Sequence, residues 1–154
     1  PHLFHALGAI ACTEGRLADA RKLLEQALAL EPRMPLPRLH LARVFDLEGR
    51  PDHALRELEL ARDLCPALPE CGERVLAHQL RTQGEEFLRA GHTTPALESL
   101  VAALRRDGED PLTHNAIGVA LHMLGDKERA KQSFRRALSL AHGFKDAEEN
   151  LQAS

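Results

Sequence analysis

Nine histidines, three cysteines and two adjacent glutamate pairs are the residues of this 154-residue chain with the most chemistry to offer. His2 and His5 stand three apart, a spacing that shares one helix face and could chelate a metal loosely. Zinc needs three or four fixed ligands, however, and no carboxylate or cysteine follows one turn on, Glu14 being too far along the helix. His40, His53, His78, His92, His114, His122 and His142 share no helical turn with one another and read as ordinary surface histidines. Cys12, Cys65 and Cys71 are odd in number and form no CxxC, so reduced, partly buried thiols are expected, with neither a disulfide framework nor a metal site. Glu85-Glu86 and Glu148-Glu149 splay to different helix faces instead of converging on a substrate. With no glycine-rich phosphate loop, no GxSxG and no HExxH, the expectation is a protein that is not an enzyme and carries no cofactor.

The bulk properties narrow the class further. At 44% apolar the chain can bury a core, and its charged residues, 28% of the total, are interspersed in sign. The apolar runs are too short to span a bilayer, so no membrane insertion is expected. A net charge of -3 and the absence of Trp and Tyr argue against nucleic acid, for want of both a basic footprint and a stacking platform. The reduced cysteines suggest the cytoplasm. Because the chain opens on Pro1 rather than Met, it reads as a piece of something longer, and a signal in the missing part would make it periplasmic. Sixteen Arg against four Lys, with abundant Ala and Leu, hints at a bacterial source.

The elements that must position any site come from internal repetition. Shifted by 34 residues, GRLADARKLLEQALALEP (Gly15 to Pro32) lies over GRPDHALRELELARDLCP (Gly49 to Pro66), and two further copies follow. The parse gives repeats at 1–34, 35–68, 77–110 and 111–144. One column is small in every copy: Gly8, Ala42, Gly84, Gly118. Two are alanine throughout: Ala20, Ala54, Ala96, Ala130 and Ala27, Ala61, Ala103, Ala137. Another is always large: Leu24, Leu58, Leu100, Phe134. Within a half-repeat the apolar residues recur at three and four, as in Leu23, Leu24, Ala27 and Leu28, so each repeat is expected to be two amphipathic helices. A glycine column, Gly15, Gly49, Gly91 and Gly125, falls between them, where a left-handed residue ends the first helix. Small residues then mark where the two helix axes approach, with the large column filling the gap beside them.

These columns resemble the tetratricopeptide repeat, whose signature runs W-x2-L-G-x2-Y, A-x3-F, Ala, Pro. Leu7-Gly8, Ala20, Leu24, Ala27 and Pro32 fit it in the first copy, and Leu41-Ala42, Phe45, Ala54, Leu58, Ala61 and Pro66 in the second. Gln83 and Gly108 depart from it in the third; in the fourth, Ile117-Gly118, Leu121, Ala130, Phe134 and Ala137 fit, but His142 replaces Pro. The resemblance implies an all-α, right-handed superhelical solenoid of antiparallel helix pairs, forming a single domain over 1–154. Residues 69–76 are extra, so the first helix of the third repeat should extend from about Pro69 to Ala90, and 144–153 should form a capping helix, the alternative being the opening half of a further repeat.

By the same resemblance the first helices line a concave face that binds a protein or peptide partner. Its slots hold His5, Ala9 and Cys12; Leu36, Leu39, Arg43 and Asp46; His78, Arg81, Glu85 and Leu88; and Leu112, Asn115, Val119 and His122. A mixed lining of this kind suits a segment with an apolar anchor and a carboxylate, paired with Arg43 and Arg81. The Lys/Asn clamp with which some relatives hold chaperone tails is absent. Its slots read His5, Ala9, His40, His78 and Thr82, which would be weakly cationic below about pH 6.5. The asparagine ladder of protein O-glycosyltransferases is missing too. The expected function is therefore a protein-interaction adaptor, the alternatives being a non-catalytic helper or scaffold in a larger bacterial enzyme or envelope assembly (glycosyltransferase, pilus or polysaccharide export) and a self-assembly module forming a homo-oligomer.

Overall fold

Glycine and proline punctuate the chain wherever its helical periodicity breaks, and the helices follow that punctuation. The computed structural model describes residues Pro1 to Ser154 and holds nine helices: α1 (His2–Thr13), α2 (Leu17–Leu30), α3 (Pro35–Leu47), α4 (Pro51–Leu64), α5 (Pro69–Arg89), α6 (Thr93–Arg106), α7 (Pro111–Met123), α8 (Lys127–Leu140) and α9 (Lys145–Ala153). No strand forms, and the all-α helical-repeat class expected from the sequence is the one adopted.

The turn that ends α1 shows how the glycine column works. Gly15, at φ 77°, donates its N–H to the Cys12 carbonyl, while Arg16 N donates to the Ala11 carbonyl. This is the Schellman pairing, which satisfies the last carbonyls of a helix and needs a left-handed residue that only glycine adopts without a side-chain penalty. The same two bonds recur at Gly49, Gly91 and Gly125. Proline supplies the opposite signal, opening α3, α4 and α7 at a position whose N–H has no helical partner to lose.

The chain divides into two compact units, Pro1–Val75 and Leu76–Ser154. In the first, α1 packs on α2, α2 on α3 and α3 on α4. The core joins Ala11, Leu24, Leu39, Leu41, Val44 and Leu58 with Cys71 and Val75 from the start of α5. In the second, α6 packs on α7, α7 on α8 and α8 on α9. Leu100, Ala116 and Ile117 form a cluster there, flanked by Leu88, Leu97, Leu104 and Leu121.

The small and large columns meet as the sequence implies. A Cβ added to Gly8 would stand 2.8 Å from Leu24 Cγ, and one added to Gly84 would stand 2.6 Å from Leu100 Cγ and 3.2 Å from the Ala96 carbonyl oxygen. At Gly118 the added atom would strike the ring of Phe134, which is 2% exposed and has nowhere to retreat. Gly118→Ala gains about 1 kcal/mol of helix propensity against an overpacking cost of about 1–3 kcal/mol. A net loss of stability is the expected result, measurable as a lower denaturation midpoint by far-UV circular dichroism.

Candidate functional site

In the first unit, register puts His5, Ala9 and Cys12 on α1 beside Leu36, His40 and Arg43 on α3. The His5 and His40 rings lie 5.0 Å apart between centroids and are tilted by 45°. Burial is the main cause that pushes the His40 pKa down to about 4, and the positive charges of His5, Arg74 and Arg43 add to it. His5 is lowered as well, by burial and then by His2. Burial raises the Cys12 thiol pKa, with the nearby Arg43 guanidinium opposing the shift. The expected cationic histidine clamp therefore does not arise at His40 near pH 6.5, because its imidazole stays neutral until far lower pH.

Exposure along this face is uneven. Leu36 is 40% exposed, and His5, Ala9 and Arg43 are half-buried; Leu39 and Asp46 are buried, at 2% and 9%. Leu39 belongs to the core and not to a surface. Arg74 adds a further guanidinium close to His40 and is tied to Glu70 at 3.0 Å. The sequence reading placed His40 only among the slots of the absent Lys/Asn clamp and left Arg74 outside the face.

The second unit treats its predicted residues differently. Arg81, expected to meet a ligand carboxylate, is 2% exposed. Its Nη1 donates to Glu85 Oε1 at 3.0 Å, Nη2 to His78 Nδ1 at 3.0 Å, and its Nε lies 3.2 Å from Asp110 Oδ2. Asp110 is itself the N-cap of α7, accepting from Leu112 N at 3.0 Å and Thr113 Oγ1 at 2.8 Å. The guanidinium thus braces α5 against the start of α7, and its charge is answered inside the protein. His78, at 5%, is buried with it, and Leu88 packs against the Leu100–Ile117 cluster. On α7, Asn115 Oδ1 accepts from Asn150 Nδ2 of α9 at 3.0 Å, Leu112 and Val119 are half-buried, and His122 is exposed.

No group of three or more His, Cys, Asp or Glu is placed to hold a metal ion, and the three cysteines are free. No helix is long and apolar enough to cross a membrane.

Helix hairpins with small-on-large crossings, closed by recurrent left-handed glycines, define an all-α repeat protein. The chain belongs to the tetratricopeptide repeat family, whose models match residues 12–64 and 81–152. Among solved structures it is similar to a thermophilic TPR protein of Thermus thermophilus, at 24% identity over 99% of this chain and 79% of that one with a TM-score of 0.53, a likeness of fold. It also aligns with MamA (16% identity, 99% of this chain and 79% of that one, TM-score 0.49). A third alignment is to a chain of the Cut9–Hcn1 hetero-tetramer of APC/C (20% identity, 97% of this chain and 29% of that one, TM-score 0.49). No curated protein matches the sequence. Repeats of this family are in general non-catalytic scaffolds that build surfaces for binding other proteins.

Proposed function

We propose that the chain is a protein-interaction adaptor in which repeats 1–34, 35–68, 77–110 and 111–144, closed by a cap over 144–153, present the first helix of each pair to a peptide segment of a partner. The observation that carries this reading is the face shared by α1 and α3. There Arg43, with Arg74 nearby, stands close enough to act on the charge of His40. Leu36 stands exposed beside it as an apolar contact. A segment with one apolar side chain and one carboxylate matches that pairing, and a guanidinium fork donates to a carboxylate in two-point geometry. Arg81 has no part in this recognition, because its buried brace holds the second unit together.

The test compares the parent with Leu36→Glu and Arg43→Glu variants in affinity capture from host lysate, followed by titration of the captured partner's segment. Both variants alter residues that are not fully buried and should fold as the parent does. A partner held by the parent and weakened about tenfold or more by either change supports the groove reading. Equal capture by all three overturns it.

A further inference from the structure

The second helix of each repeat turns one face to solvent, and on α8 that face is basic. Three of its columns hold Asp19, Glu25 and Gln26 on α2, and Pro95, Val101 and Ala102 on α6. On α8 the same columns hold Arg129, Arg135 and Arg136, all exposed. Lys127 and Lys131 add to them, against Glu128 alone. The α2 residues of these columns are exposed although α3 packs on α2, so a following helix does not cover this face. Inside the chain the arginines are poorly answered. Arg129 has Asp126 at 3.5 Å, Arg136 reaches only Ser139 Oγ at 3.5 Å, and Arg135 is left to solvent.

One helix carries the complement. Along its outward side α4 sets Asp52, Arg56 and Glu59 at steps of four and three, with Leu60 beside Glu59 exposed at 41%. Asp52 and Glu59 are seven residues apart, as are Arg129 and Arg136, a rise of about 10.5 Å in any α-helix. With the two helices side by side in either direction, the two acids meet the two arginines. Arg56 then falls opposite the exposed Gln132, whose amide oxygen accepts from a guanidinium. Leu60 can lie along the methylene stem of Arg135. The other second helices lack this pattern, since seven residues from Asp19 stands Gln26, from Glu25 Ala18, and from Glu98 Arg105.

We propose that copies of this chain associate through a heterologous contact, the arginine face of α8 in one against the Asp52–Glu59 face of α4 in another. A broad anionic surface fits less well, because the positive strip is one helix wide. Beside it packs α9, with Asp146, Glu148 and Glu149 exposed, and α8 exposes no large apolar side chain to insert into a bilayer. The contact uses neither Leu36 nor Arg43, so it and the peptide reading can fail independently.

The test is sedimentation velocity on the whole chain from about 10 µM to 1 mM, at low salt and again at about 1 M, where the Debye length is roughly 3 Å. At low salt the average mass should rise with concentration, and at high salt it should return to that of one chain. Charge reversal on α8 (Arg129→Glu, Arg135→Glu and Arg136→Glu) should weaken association about tenfold or more, as should reversal on α4 (Asp52→Lys with Glu59→Lys). Mixing the two variants should restore it, because each then offers the charge that the other lacks. An unchanged far-UV spectrum checks that both are folded. A parent that stays monomeric at every concentration overturns the proposal, as does association that neither reversal weakens or that the mixture fails to recover. A monomeric parent whose α8 arginines bind vesicles of mixed neutral and anionic phospholipid also overturns it, since the occupant would then be a lipid surface.

Discussion

Arg81→Ala is expected to destabilise the second unit by about 3–5 kcal/mol, the range for removing one partner of a buried ion pair. The loss arises mainly from what stays behind. Asp110, its side chain 7% exposed, keeps its duty as N-cap of α7 but loses the guanidinium at 3.2 Å, and Glu85 loses its partner at 3.0 Å. Arg81→Lys should recover part of the stability, since an ammonium keeps the charge without the fork that reaches Glu85, His78 and Asp110 together. Arg129→Ala is the exposed control. Its pair with Asp126, at side-chain exposures of 74% and 40%, should be worth less than about 1 kcal/mol. With no Trp or Tyr in the chain, unfolding is followed by far-UV circular dichroism. A loss for Arg81→Ala no larger than for Arg129→Ala would mean that the brace bears no load.

Acidification should act on the first unit through His40. Its folded pKa of about 4 lies below the ordinary value of 6.5, so between those limits the unfolded chain binds a proton that the folded one refuses. Stability from the neutral imidazole is therefore complete above about pH 6.5 and is lost as pH falls toward 4. At 1.36 kcal/mol per pKa unit the full loss approaches about 3 kcal/mol. His5, shifted the same way, contributes with the same sign. His40→Gln removes the titration of this imidazole. As pH falls across that window the parent should lose stability steadily relative to the variant, and two parallel profiles would show that His40 is not held neutral.

Repetition made the helices legible, and burial depth stayed hidden. The glycine and alanine columns fixed which residues cross, because a helix interface has only two variables, which side chain faces inward and how large it is; Gly118 opposite Phe134 follows from both. Arg81 shows the limit. The repeat register gives it the first-helix slot that His5 and Leu39 hold in the first two copies, and register alone does not say how deep a long side chain is drawn. A sequence signal for the brace did exist in Asp110-Pro111-Leu112-Thr113, a capping aspartate ahead of a helix-opening proline, together with Glu85 one turn after Arg81. What it lacked was the third dimension that brings Asp110 to α5. The low pKa of His40 was illegible for a similar reason, since it depends first on burial and then on the charges of His5 and of Arg74, the last a residue from the extra segment that no repeat alignment covers.

The burial of two thiols has a practical corollary. Cys12 is 6% exposed and Cys71 0%, and for both the reactive thiolate is disfavoured, chiefly by desolvation. Cys65, at the end of α4, is half-buried and retains access to solvent. The native chain therefore carries one chemical address, and a maleimide dye or a gold surface would find it at Cys65 without any engineering.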